Sequence, residues 1–168
     1  MQSEEPLIYR FKFEGEWNNV YPFDTKHRVE YNVRFKPDAN YVPLHELWRD
    51  ELYEIVIEVI SASDPLRIPA DQAIFPTIVA IISDFLAFHQ WVILYICDDS
   101  DSKELARKRK FDSCSWYPRL GNSAFEKHDL PTLAAGPERY FASVFFRRDN
   151  PNRLAIITAF KRLGTSDK

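Results

Sequence analysis

The densest group of chemically capable side chains in this sequence is a basic segment with aromatic neighbours, formed by Arg107, Lys108, Arg109, Lys110, Trp116, Tyr117 and Arg119. Proteins that bind single-stranded nucleic acid combine cations, which contact the phosphates, with aromatic rings, on which the bases stack. The segment is therefore a candidate binding site for a polyanion. The alternative is a solvated helix face with Phe111 and Trp116 turned into the core.

Three further cations, Arg147, Arg148 and Arg153, lie in a polar stretch between two apolar runs near the C-terminus. If that stretch is the tip of a hairpin, these side chains extend the cationic surface of the basic segment. We expect this surface to favour an acidic protein partner or self-association, with weak, salt-sensitive binding of single-stranded nucleic acid.

Acid–base chemistry has a second set of candidates, Glu126, His128 and Asp129. Carboxylates and imidazoles transfer protons in many enzymes, although loops carry such residues routinely. A small metal-independent nuclease could combine His128 with Arg107, Arg109, Tyr117 or Arg147.

A weak candidate for a metal site is the acidic group Asp98, Asp99 and Asp101, because hard divalent cations prefer clustered oxygen ligands. The alternative is a turn followed by a helix cap, since Asp101 and Glu104 have the spacing of a capping box. We expect this alternative, and hence no metal.

Recognisable cofactor motifs are absent from the sequence. The histidines and cysteines do not fall at zinc-ligand spacings, and with four glycines the chain has no phosphate-cradling loop. No cofactor is expected.

The central elements that must position these residues lie between positions 70 and 98. Apolar residues at helical spacing predict a helix over about 72–89, with Pro76 in its first turn. The continuous apolar run over 91–97 predicts a strand that is buried on both faces.

The N-terminal part alternates between apolar and polar residues and predicts an antiparallel meander over about 7–36, with strands at 7–13, 19–25 and 29–35. Residues 44–60 fit either a helix or a strand. The β-branched residues after Tyr53 favour a short helical turn followed by a strand.

The C-terminal part is predicted to contain a helix over about 102–112 and a surface excursion over 117–135. Two apolar runs, Tyr140 to Phe146 and Leu154 to Phe160, predict a closing hairpin over 139–160. The expected fold is a single α+β domain, with a mainly antiparallel sheet of about six or seven strands and two principal helices.

Composition agrees with one domain, because 168 residues with 45% hydrophobic content can bury a substantial core. No signal peptide or membrane span is evident, so a cytoplasmic location is expected. Residues 1–100 hold eight Lys or Arg against seventeen Asp or Glu, whereas 101–168 hold fourteen against eight. The chain therefore divides into an acidic and a basic half.

A resemblance rests on the helix Asp71-x-x-Ile74-x-x-x-Ile78-x-x-Ile81-Ile82, the strand end Tyr95-x-Cys97-Asp98, Arg107-x-Arg109-x-Phe111 with Trp116, and Asn150-Pro151. In these features the chain resembles a family of small uncharacterised bacterial proteins, a domain of unknown function. The resemblance implies a bacterial single domain and no particular activity.

Two functions remain open on this basis. The first is a non-enzymatic binding or accessory module of a bacterial cytosolic system, such as one member of an operon-encoded pair. The second is a metal-independent nuclease or nucleotide-acting enzyme of the toxin type.

Overall fold

The computed structural model describes residues 7–15, 19–40, 42, 46–87, 89–97, 125–135 and 138–163. Its strands are β1 (Val20–Asp24), β2 (Glu30–Pro37), β3 (Leu52–Ser61), β4 (Val92–Cys97), β5 (Phe125–Ala135) and β6 (Glu138–Arg147). Its helices are α1 (Ile74–Leu86), α2 (Arg153–Leu163) and a short 3-10 helix, Arg49–Glu51. The strands form one sheet in the order β1, β2, β3, β4, β6, β5. The predicted α+β fold with a mainly antiparallel sheet and two principal helices is confirmed.

The chain divides into two compact units, Met1–Lys36 with Val56–Phe88, and Pro37–Ile55 with His89–Lys168. Strand β3 contributes its first four residues to the second unit and the remainder to the first.

In the first unit, β1 pairs antiparallel with β2, and Tyr31, Val33 and Phe35 are buried on alternate positions of β2. Helix α1 buries the face that contains Ile78, Ile81, Ile82 and Phe85. The rings of Phe35 and Phe85 stack, with their centroids 3.8 Å apart and their planes 4° from parallel. The predicted helix is confirmed, and Pro76 lies in its first turn, where the missing N–H costs nothing.

Among the described residues, the predicted strand over 7–13 makes one isolated bridge, Phe11 to Phe23, and Glu14 just after it makes another to Val20. The backbone N–H of Tyr9 donates to the hydroxyl oxygen of Thr77 at 2.9 Å instead of joining a ladder. This segment therefore depends on side-chain contacts with α1 rather than on strand pairing.

The segment 44–60, which spans both units, contains a short helical turn followed by β3, as predicted. The first residues of β3 pair parallel with β4, with Leu52 opposite Val92 and Tyr53 opposite Ile93. Strand β4 then pairs antiparallel with β6, and β6 with β5. The β4 residues Val92, Ile93 and Leu94 are almost fully buried, as the apolar sequence of this strand predicts.

The prediction of a surface excursion over 117–135 was wrong for its second part, because residues 125–135 form β5. The strand tolerates Pro131 because it lies at the edge of the sheet, where a missing backbone donor can affect pairing with one neighbouring strand only. Its pairing with β6 shifts register between Leu130 and Leu133, on either side of this proline.

The predicted closing hairpin over 139–160 was also wrong, because only its first run is a strand. Leu154 to Phe160 is part of α2, which buries Ile156 and Phe160 at helical spacing and leaves Leu154 exposed. The Asn150 side-chain oxygen accepts the Asn152 N–H at 2.8 Å, and its carbonyl accepts the Arg153 N–H at 3.0 Å. These bonds start a helix where the sequence suggested a turn between strands.

The core of the second unit lies between α2 and the central strands. Its buried members include Trp48, Leu52, Val92, Leu94, Val144, Phe146, Ile156 and Phe160. None of the helices in the described part of the chain is long and apolar enough to span a bilayer. The predicted helix over 102–112 lies outside the described residues.

Candidate functional site on the edge strand

Strand β5 forms one edge of the sheet and carries Glu126, Lys127, His128 and Asp129 in succession. Side chains alternate between the two faces of a strand, so Glu126 and His128 share one face, and Lys127 and Asp129 share the other. The acid–base trio predicted from the sequence is therefore divided. Glu126 and His128 meet, whereas Asp129 lies on the opposite face.

The centre of the site is the carboxylate of Glu126, whose side chain is only 12% exposed. Its Oε1 atom lies 2.8 Å from Nε2 of His128, and its Oε2 atom accepts a hydrogen bond of 3.0 Å from Nε of Arg153. One carboxylate thus holds two potentially cationic side chains, one from β5 and one from the first residue of α2. We call this group the Glu126 cluster.

Electrostatics keep Glu126 ionised. Burial by itself would raise the pKa of this carboxyl, but the hydrogen bonds from His128 and Arg153, together with the charges of these residues, outweigh it and hold the pKa below its ordinary value. Glu126 therefore acts as a fixed negative charge at neutral pH and not as a proton donor.

The imidazole of His128 is held from a second side. Its ring stacks on Phe146 of β6, with centroids 5.7 Å apart and planes 5° from parallel. Because Nε2 faces Glu126, Nδ1 is the nitrogen left to serve as a donor or acceptor for a ligand. The side chain is 31% exposed, so solvent can reach the ring.

On the opposite face of β5, the carboxylate of Asp129 contacts two side chains of this chain. Lys127 Nζ lies 2.9 Å from its Oδ1, and the hydroxyl of Ser143 donates to the same oxygen at 2.5 Å. Asp129 is therefore a structural acceptor that joins β5 to β6.

The arginines predicted at a hairpin tip lie around the start of α2 instead. Arg147 makes a two-pronged ion pair with Asp149, at 2.8 Å from Nε and 2.7 Å from Nη2. Arg148 donates from Nε to the backbone oxygen of Phe125 at 3.0 Å. Arg153 bonds to the Glu126 carboxylate, and its side chain is 43% exposed.

The remaining candidate residues lie outside the described part of the chain. These are the basic and aromatic group Arg107, Lys108, Arg109, Lys110, Trp116, Tyr117 and Arg119, and the acidic group Asp98, Asp99 and Asp101. Within the described ranges, no three His, Cys, Asp or Glu side chains lie close enough together to hold a metal ion.

The pairing of Arg153 with Glu126 was missed from the sequence because Arg153 was assigned to a turn between strands. A signal was present, since Asn150 followed by Pro151 before an apolar run is typical of a helix start. A helix that begins there brings its first residue to the edge strand.

Comparison with known proteins gives a family but no activity. A solved CoA-dependent acyl-homoserine lactone synthase, MesI, is similar at 12% identity over 93% of this chain and 73% of its own, with a TM-score of 0.34. A TM-score this low supports neither a shared fold nor a shared activity. No curated protein matches the sequence. The family described as "Family of unknown function (DUF6169)" matches residues 70–162, more than half of the chain, and the predicted membership of an uncharacterised family is confirmed: the chain belongs to DUF6169.

Proposed function

We propose that this chain is a non-enzymatic binding module of a bacterial cytosolic system, which uses the surface around His128 and Arg153 to hold an acidic segment of a partner protein. The observation that carries the proposal is the Glu126 carboxylate, which fixes both side chains at once. An operon-encoded partner, or a second copy of the chain, would supply the acidic segment.

The first support is the geometry of Arg153. Its bond to Glu126 uses Nε, and its terminal nitrogens have no acceptor among the described residues. A guanidinium presents its donors as a rigid fork that matches a carboxylate. Because Glu126 already restricts this side chain, less conformational entropy is lost when a ligand binds.

The second support is the imbalance of acid–base groups in the Glu126 cluster. Catalysis of phosphodiester cleavage uses one group to accept a proton and another to donate one. Glu126 is held ionised by its partners, and Asp129 lies on the other face of β5. The lowered pKa makes Glu126 a weak proton acceptor, so the trio lacks a well-matched pair of acid and base, which favours binding over catalysis.

The third support is the charge of the chain. The net charge is -3, and residues 1–100 carry a strong excess of acidic residues. A long nucleic acid would be repelled by this excess, whereas a short acidic peptide contacts only the local cations. Weak, salt-sensitive binding of single-stranded RNA remains part of the proposal.

The test compares two variants of α2 that lose the same charge. Binding of a fluorescent octaglutamate peptide and of a uridine octanucleotide is measured across a salt series for wild type, Arg153→Gln and Lys161→Gln. Lys161 is exposed on the last turn of the same helix and is the matched control. We expect Arg153→Gln to weaken peptide binding about threefold to tenfold, and Lys161→Gln to change it less than about twofold.

Equal effects of the two variants, or no peptide binding by the wild type at low salt, would contradict the proposal. Melting temperatures of all three proteins show whether the loss of binding reflects unfolding. Sedimentation of the wild type shows whether the acidic segment belongs to a second copy of the chain.

A second function, a metal-independent nuclease or nucleotide-acting enzyme, is favoured by one observation, the 2.8 Å contact between His128 and Glu126. A carboxylate that orients an imidazole is a common arrangement around a general base. The test is cleavage of labelled single-stranded RNA in the presence of a chelator. Cleavage by wild type that is abolished in His128→Ala would support this function over the binding module.

A further inference from the structure

A separate part of the second unit contains a buried carboxylate oxygen with no hydrogen bond to any described residue. It is the Oε2 atom of Glu51, the last residue of the 3-10 helix. A buried carboxylate oxygen that has lost water and gained no donor is costly, so such groups are rare in proteins. Burial accordingly raises the pKa of Glu51.

Tyr53 is the aromatic neighbour of Glu51, and it contacts a second ring. Burial, and then the charge of Glu51, raise the pKa of Tyr53, so the two side chains are neighbours. The ring centroids of Tyr53 and Trp91 are 5.1 Å apart, and the two ring planes meet at 53°. The imidazole of His89 stacks on Trp91 with a centroid distance of 3.7 Å. His89 is exposed, and Tyr53 and Trp91 are partly exposed.

The strand register explains why these groups meet. Leu52 of β3 pairs with Val92 of β4, and both are buried in the core beneath α2. Tyr53 and Trp91 are each one position away, so they lie on the other face of this parallel pair. Glu51 immediately precedes the strand.

We propose that Glu51, Tyr53 and Trp91 form a binding site for a guanidinium group. An ionised carboxylate supplies the charge, and the electron-rich faces of Tyr and Trp attract a cation. A guanidinium is favoured over an ammonium because it is flat and stacks on aromatic rings. This site has the opposite charge preference to the Glu126 cluster and does not depend on it.

A guanidinium can come from a small molecule or from an arginine side chain of a protein, and the two sources share this chemistry. Methylguanidinium and the blocked tripeptide Gly-Arg-Gly represent them. The blocked tripeptide with citrulline in place of arginine has the same shape without the charge and is the negative control.

The experiment follows the indole signal of Trp91 by NMR, assigned with Trp91→Phe, while each probe is added to wild type, Glu51→Gln and Asp50→Asn. Asp50 is the exposed neighbour of Glu51 in the same 3-10 helix, so its variant removes the same charge. We expect saturable shifts with at least one cationic probe and none with the citrulline peptide. Affinity should fall about tenfold or more in Glu51→Gln and change little in Asp50→Asn.

Stability gives a second readout. If Glu51 is held unpaired for a ligand, Glu51→Gln should keep or raise the melting temperature of the free protein, because a neutral amide is less costly to bury than a carboxylate. A lower melting temperature would assign Glu51 a structural partner and overturn the proposal. Absence of saturable binding by wild type, or equal binding by Glu51→Gln, would also overturn it. A response to the peptide alone assigns the site to a protein partner, and a response to both probes assigns it to guanidinium compounds in general.

Discussion

The Nε2 atom of His128 lies 2.8 Å from Oε1 of Glu126, two positions earlier on the edge strand, while Arg153 holds the other oxygen of the same carboxylate. Replacing Glu126 by Gln removes the charge that both partners share. We expect a loss of about 1 kcal/mol in the free energy of unfolding at neutral pH, since both partner side chains are partly exposed. Urea unfolding measures it, with Glu30→Gln as a control that removes a carboxylate without a hydrogen bond or ion pair among the described residues. An equal loss in the control would contradict this role for Glu126.

The same carboxyl predicts a dependence of stability on pH. The pKa of Glu126 is lower in the folded chain than its ordinary value of 4.5, so its contribution is complete above that value and is lost as the pH falls through the folded pKa. The difference in stability between wild type and Glu126→Gln should therefore shrink from about pH 5 to about pH 3. Urea unfolding at several pH values gives this difference, and a constant gap across the range would show that Glu126 has no shifted pKa.

The turn between β1 and β2 contains a strained residue. Arg28 has a φ of 58°, in the left-handed region that favours glycine, and its N–H bonds to the carbonyl of Thr25 at 3.0 Å. Arg28→Gly should raise the free energy of unfolding by about 0.5–1 kcal/mol, because a glycine adopts this conformation without a clash of Cβ. Arg28→Ala removes the side chain but keeps Cβ and should give no gain. Thermal unfolding of both variants measures the change in stability. A gain in Arg28→Gly alone shows that relief of backbone strain, and not loss of the side chain, causes it.

Thr77 is fully buried, and its hydroxyl accepts from the Tyr9 N–H and donates to the Ala73 carbonyl at 2.7 Å. Thr77→Val keeps the shape but leaves the Tyr9 N–H without this acceptor, which should cost about 1–3 kcal/mol. Because residues 7–13 lack a strand ladder, the amide of Tyr9 should exchange its hydrogen much faster in this variant. In Thr77→Ser, which keeps the hydroxyl, exchange at Tyr9 should stay slow. Unchanged exchange in Thr77→Val would mean that other contacts hold the segment.

Helix α2 can be tested through two residues two positions apart. Ile156 is fully buried, whereas Leu154 is 73% exposed. Ile156→Ala should therefore cost about 2–5 kcal/mol, and Leu154→Ala less than about 0.5 kcal/mol. In a strand, residues two apart share a face and would be expected to respond alike. Chemical unfolding of the two variants distinguishes the helix from the strand that the sequence suggested.

Local patterns in the sequence were sufficient for several elements. The alternation of Tyr31, Val33 and Phe35 predicted β2, and the spacing of Ile78, Ile81 and Phe85 predicted α1. In each case one face is buried, and burial of one face imposes the period of the element on the sequence. A strand after a short helical turn was predicted from the β propensity of the β-branched residues that follow Tyr53, and β3 lies there.

Periodicity failed where the apolar residues of an element are not confined to its buried face. The run Leu154 to Phe160 contains β-branched residues on several sides and was assigned to a strand, although hydrogen bonds accepted by Asn150 from Asn152 and Arg153 start a helix there. The sequence around Pro131 was assigned to a loop because proline breaks most strands. Only the position of β5 at the edge of the sheet makes that proline acceptable.

The sequence by itself determined the α+β class, the long central helix and the chemical types available for a site, because these follow from composition and from contacts between residues close in the chain. Tertiary structure alone decided which of those residues meet. It placed Arg153 against Glu126, separated Asp129 from His128 and left an oxygen of Glu51 buried with no hydrogen bond to any described residue. The physical reason is that such contacts depend on strand order, register and the start of a helix, and these are set by packing between segments far apart in the chain.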